Sequence, residues 1–97
     1  MKIKFDAAAD ADVSDAYNWY ELQEVGLGEQ FLGALQDALK LVTDMPTMYP
    51  VIDGLARRCV LRRFPYSLYY RVEQDTVRVI ACFHGNRDPI VWRNRIG

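Results

Sequence analysis

The stretch Ser67-Leu68-Tyr69-Tyr70-Arg71-Val72-Glu73-Gln74-Asp75-Thr76-Val77-Arg78-Val79-Ile80-Ala81-Cys82-Phe83-His84 carries the reading of the fold. Two runs rich in β-branched and aromatic residues flank Glu73-Gln74-Asp75-Thr76, a polar connection short enough for a hairpin. In the first run Leu68, Tyr70 and Val72 alternate with Tyr69 and Arg71. In the second, Val77, Val79, Ala81 and Phe83 alternate with Arg78, Ile80, Cys82 and His84. Side chains on a strand point alternately to its two faces, so each run has one face for a core. Residues 58–64 form a third candidate strand. Together, 58–64, 67–73 and 76–84 predict a three-stranded antiparallel meander.

Working towards the N-terminus, residues 47–54 contain Pro50 and Gly54 and read as a linker. Before it, Leu27, Phe31, Leu35, Ala38, Leu39, Val42 and Met45 recur every three or four residues, the stripe of a core-facing helix. Pro46 ends that helix, because a proline ring would clash with the preceding turn. Gly26-Leu27-Gly28 separates it from an earlier helix, on which Val13, Ala16, Tyr17 and Tyr20 share a face. Asp6 is placed to cap this earlier helix, with Asp10 and Asp12 near the positive end of its dipole. Two consecutive helices joined by a short glycine turn predict an antiparallel hairpin. Lys2-Ile3-Lys4-Phe5 alternates as a short strand does.

The fold class is therefore α+β: an N-terminal strand, an α-helical hairpin and the three-stranded meander, within one domain of 97 residues. After Asp88-Pro89 the chain runs into a C-terminal tail holding Trp92, Arg93 and Arg95.

The formal net charge of −1 hides a division. Residues 1–50 carry three lysines against nine acids, a net of −6, whereas residues 51–97 carry nine arginines against four acids, a net of +5. A planar guanidinium suits two-point pairing with carboxylate or phosphate. Either the arginines pair internally with the acidic helices, or they serve an anionic partner, an acidic peptide or a nucleic acid. The acidic surface of the two helices excludes them as a DNA-reading helix-turn-helix.

No signal-peptide pattern and no run long enough to span a membrane is present, so a cytoplasmic location is expected. Cys59 and Cys82 lie in apolar runs without metal-ligand spacing and read as buried thiols. One histidine and scattered acids make no metal centre, and no glycine-rich phosphate loop follows a strand. Neither a metal nor a cofactor is expected.

Strand parity, without a bulge, puts Tyr69, Arg71, Arg78 and His84 on the sheet face opposite the helices, joined by one of Arg62 and Arg63. Metal-independent phosphodiester cleavage needs proton-transfer groups and cations for the phosphate. His84 is suited to the first task and nearby arginines to the second. The alternative role for His84 is to orient the turn into Gly85-Asn86-Arg87.

Phe64-Pro65-Tyr66-Ser67-Leu68-Tyr69-Tyr70-Arg71-Val72 and, after it, His84-Gly85-Asn86-Arg87-Asp88-Pro89 with Trp92-Arg93 follow an α-hairpin in this order. On these motifs the chain resembles the RelE/ParE superfamily of bacterial toxins, the toxic halves of type II toxin–antitoxin, or plasmid-stabilisation, modules. The resemblance implies a cognate antitoxin whose acidic C-terminal segment wraps the toxin, as a 1:1 pair or in a larger assembly. RelE-like members cleave messenger RNA on the ribosome from a basic sheet surface. ParE-like members inhibit DNA gyrase.

If this chain is RelE-like, Arg63 and Arg78 answer to phosphate clamps and His84 to the acid or base. However, its lysines are Lys2, Lys4 and Lys40, none of them in the later sheet, and its tail has no tyrosine. The ParE-like reading is therefore preferred, beside a RelE-like ribonuclease and a non-toxic interaction module of the same fold. The resemblance assigns antitoxin or target contacts to Arg58, Arg62, Tyr69, Arg71, Arg87, Trp92, Arg93 and Arg95.

Overall fold

A computed structural model of the chain describes residues 1–86 and 89–96, and the side chains at 89, 91, 92 and 96 lie outside that description. The elements follow in the order β1 (Lys2–Phe5), α1 (Ala7–Gln23), α2 (Leu27–Asp44), β2 (Val51–Asp53), β3 (Ala56–Val60), β4 (Tyr66–Glu73), β5 (Thr76–His84) and α3 (Pro89–Ile96). Five strands form one sheet in the order β1-β5-β4-β3-β2. The meander β3-β4-β5 is antiparallel, and β1 lies parallel to β5 at one edge, Ile3 opposite Val77 and Phe5 opposite Val79.

Helix α2 is amphipathic, and its core stripe is Phe31, Leu35, Ala38 and Val42. On α1 the buried positions are Ala9, Ala16 and Tyr20, with small residues bringing the helix close to the sheet. Val13 and Tyr17 are half-buried, and the Tyr17 hydroxyl donates to Glu29 Oε1 at 3.0 Å across the hairpin. Leu68, Tyr70, Val77, Val79 and Cys82 meet the helices from the sheet. Tyr70 is fully buried and its hydroxyl donates to the Pro46 carbonyl at 2.7 Å, which ties the sheet to the end of α2. Burial pushes that hydroxyl's pKa up to about 12, so it stays a donor throughout the physiological range. At the other end, Phe31 and Tyr20 pack with Phe64 and Tyr66, ring centroids 4.9–5.9 Å apart. Truncating a ring such as Phe31, which is fully buried, costs about 3–5 kcal/mol.

The hairpin turn is built by Glu21. Its Oε1 accepts from the backbone N–H groups of Gly26 (3.0 Å) and Gly28 (2.8 Å), so a carboxylate from α1 satisfies the first orphan donors of α2. Gly26 supplies the left-handed turn at φ 91°.

Four local features differ from the sequence reading. The linker 47–54 contains a strand, β2, which pairs with β3 in a shifted register. The third strand of the meander is Ala56–Val60, not 58–64, because Arg63 takes the left-handed conformation (φ 71°) and reverses the chain. Leu61 N–H then donates to the Tyr66 carbonyl at 2.9 Å. The tail is helical from Pro89 to Ile96. Finally, Asp6 occupies the cap position of α1 but makes no side-chain cap bond, since its carboxylate is bound by Arg78.

Cys59 and Cys82 are free and buried, each in register with Leu68 from opposite sides. Two strand spacings place their Cα atoms roughly 9–10 Å apart, too far for a disulfide. Burial, and secondarily the Asp12 carboxylate, raise the Cys82 thiol to about 12, which keeps it protonated.

Candidate functional site

The face of the sheet away from the hairpin was the expected functional surface, and a β-bulge rearranges it. Tyr69 is opposite Ala81 and Tyr70 is opposite Val79, so Ile80 is the extra residue of β5. Beyond it every side chain changes face. Ala81 and Phe83 leave the helix side and form a second small core with Ala56, Tyr69 and Ile80. Cys82 and His84 move to the helix side.

Tyr69 is therefore 3% exposed rather than displayed. His84 does not share a face with Arg78. Its ring lies edge-on to Tyr66 at 5.2 Å, and its Nδ1 accepts the Asn86 N–H at 2.9 Å, the turn-orienting geometry. Arg78 sits six positions back along β5, roughly 20 Å away by strand rise, on the opposite face in register with Arg71. Arg63 belongs to the β3–β4 turn. The three residues named for ribonuclease chemistry are thus not brought together as a set.

Helix α3 packs on β5. Arg95 donates from Nη1 to Asp12 Oδ2 (2.9 Å) and from Nη2 to Oδ1 (3.2 Å), while its guanidinium lies 4.9 Å from the Phe83 ring centroid. Asp12 Oδ2 also accepts the Cys82 N–H at 3.1 Å, capping the edge of β5 beyond the end of β1. A second ion pair joins Arg78 to Asp6, Nε–Oδ1 2.9 Å and Nη2–Oδ2 3.0 Å, with Glu73 Oε2 3.4 Å from Nη1. The hydrogen bonds from Arg78 hold the Asp6 carboxyl below its ordinary pKa against the opposing effect of burial, and the same pairing raises the guanidinium.

The internal-pairing reading is thus met by part of the arginine set. Arg71 lies 3.8 Å from Glu73 Oε2, and its Nε–H is buried without a hydrogen-bond partner among the described residues. Arg57, to which the sequence assigned no role, donates to the carbonyls of Thr47 (3.1 Å) and Tyr49 (2.6 Å) and holds the segment before β2. Arg93 is exposed. Arg87 and the Trp92 side chain lie outside the described residues.

Arg58, Arg62 and Arg63 are exposed, and their guanidinium groups have no ion-pair or hydrogen-bond partner among the described residues. Arg58 stands in register with Tyr69. Arg62 and Arg63 border a cleft of about 280 Å³ whose other wall is α2: Gln30, Gly33 and Asp37, with Ala34 and Phe64 as its apolar part. The α2 positions were not singled out by sequence. Their signal was present, since 30, 33, 34 and 37 repeat as the core stripe does, displaced around the helix by one residue. No helix among the described residues is long and apolar enough to cross a membrane.

This arrangement of strand, hairpin and meander has known counterparts. A chain of the chromosomal ParDE toxin–antitoxin system from P. aeruginosa superposes with a TM-score of 0.65 at 23% identity, over 87% of this chain and 95% of that one. The isolated E. coli RelE toxin superposes with a TM-score of 0.59 at 19% identity, over 96% of this chain and 93% of that one. Among curated proteins, none shows significant similarity to the chain.

The fold is ParE/RelE-like. More narrowly, the chain belongs to the ParE toxin family of type II toxin–antitoxin systems (parDE), whose family model matches residues 3–89.

Proposed function

We propose that this protein is a ParE-like toxin that arrests bacterial growth by inhibiting DNA gyrase and is neutralised by a cognate antitoxin. The observation that carries the reading is the dispersal of the side chains a ribonuclease would need. His84 Nδ1 is occupied by the Asn86 N–H, and Arg78 is held by Asp6 on the opposite face. General acid–base cleavage of RNA requires such groups within hydrogen-bond reach of one phosphodiester. A toxin acting by binding has no such requirement. Membership of the ParE family supports the same choice.

The antitoxin half rests on the likeness to the ParDE system and on charge. Arg58, Arg62 and Arg63 keep their guanidinium groups for a partner, and carboxylates of an acidic segment pair with them bidentately. The action this implies is cytoplasmic.

Induction in bacteria, with DNA supercoiling and message integrity read separately, tests the assignment. Growth arrest with relaxed plasmid DNA and intact messages is expected. Cleaved messages, with loss of cleavage in His84→Ala, would establish the ribonuclease alternative. Undisturbed growth would leave the interaction module.

A further inference from the structure

The cleft between α2 and the β3–β4 turn combines three features that point to a ligand. The first is unspent charge. Arg62 and Arg63 are adjacent, exposed and without internal partners among the described residues, whereas Arg78 and Arg95 are bound by Asp6 and Asp12. The second is backbone conformation. Arg63 has φ 71°, a left-handed conformation that residues with a Cβ adopt at a cost and that recurs at ligand clamps. Arg62 and Arg63, consecutive residues, both line the cleft. The third is shape: Gly33 leaves the α2 wall open, since a Cβ there would meet nothing within 4 Å.

We infer that this cleft is a carboxylate-binding subsite for an acidic peptide, with the Arg62 and Arg63 guanidinium groups clamping one glutamate or aspartate side chain. Asp37 on the facing wall decides between peptide and nucleic acid. It leaves a net charge of +1 in the cleft, which suits a single carboxylate. Beyond it α2 exposes Lys40 and Asp44, whose charges cancel, so the helix extends no positive track for a continuous phosphate backbone. Gln30 offers an amide to the peptide's own backbone, and Phe64 and Ala34 offer apolar contact to a neighbouring side chain. In identifying the peptide's source as the antitoxin, the inference rests on the proposed function. The chemistry of the cleft does not.

The test uses the full isotope-labelled chain and two tetrapeptides, acetyl-Leu-Glu-Glu-Leu-amide and its Gln-Gln counterpart, with inorganic phosphate and an oligouridylate hexamer as further probes. Saturable NMR shifts at the Arg62 and Arg63 Nε–H and the Gly33 amide are expected with the glutamate peptide. Binding of the glutamine peptide should be roughly tenfold weaker, the factor for one charge-assisted hydrogen bond. Arg62→Ala and Arg63→Ala should each lower affinity by a similar factor, and Lys40→Ala should not. Arg63→Gly, which accepts the left-handed conformation while removing the guanidinium, separates loss of charge from a distorted turn and should lose as much as Arg63→Ala.

Equal binding of the two peptides, unchanged affinity in Arg63→Gly, or tighter binding of phosphate or oligouridylate at the same residues would overturn the inference. A negative titration beside intact gyrase inhibition removes the subsite alone. A positive titration beside normal growth on induction supports the subsite and removes the toxin reading.

Discussion

Arg95 and Asp12 meet across 83 residues of sequence in a two-point ion pair, and the same carboxylate caps the Cys82 N–H on β5. One aspartate thereby joins α1, the open part of the β5 edge and the C-terminal helix. Asp12→Ala removes all of these bonds, whereas Asp12→Asn keeps an oxygen for Cys82. Their side chains are 30% and 11% exposed, so the pair is partly shielded from water. The loss in Asp12→Ala should be about 2 kcal/mol, below the range for fully buried pairs, with Asp12→Asn retaining part of it. Denaturant unfolding gives the stabilities, and faster exchange of the Cys82 amide in Asp12→Ala locates the effect.

The Asp6–Arg78 pair fixes a pH dependence. Asp6 titrates below its ordinary value of 3.8 in the folded chain, chiefly because Arg78 hydrogen-bonds the charged form. The unfolded state therefore takes up the proton first as acid is added. The stabilisation is complete above 3.8 and is lost as pH falls from there through the folded pKa. Asp6→Asn should be less stable than the parent at neutral pH by about 1 kcal/mol, because Arg78 is partly exposed to solvent. The two chains should converge in stability below the folded pKa. Thermal melts across an acid series check the convergence, and a constant gap would contradict the assignment.

Glycines at the hairpin make opposite predictions. A Cβ on Gly28 would lie 2.7 Å from Glu21 Cγ and 2.9 Å from the Tyr17 ring, and the Gly28 N–H is held by the same glutamate. Gly28→Ala should therefore destabilise by about 1–3 kcal/mol as the turn is forced apart. Gly33 lies within α2 with open space around it, so Gly33→Ala should stabilise by up to about 1 kcal/mol through helix propensity. Urea midpoints for both variants measure the contrast.

The elements were legible because their patterns are local. The α2 stripe, Pro46 and the 73–76 connection each speak through neighbouring residues. The far face of the sheet was misread for one physical reason. The bulge at Ile80 inverts the parity of Ala81 through His84, and no glycine or proline marks it in the sequence. Tyr69 thus became core, and His84 was parted from Arg78. The pairing of arginines was illegible for another reason: Asp6 with Arg78 and Asp12 with Arg95 are long-range contacts. A sequence shows that charges balance, but not which ones are spent. Strand β2 escaped because its three residues lie between Pro50 and Gly54, where composition alone argues for a loop.

The proposed action is binding to gyrase rather than cutting RNA. The most direct measurement is negative supercoiling of relaxed plasmid by purified gyrase with increasing amounts of the purified chain. Dose-dependent loss of supercoiled product is predicted. Full supercoiling at saturating chain, together with cleavage of messages in a reconstituted translation reaction, would contradict it.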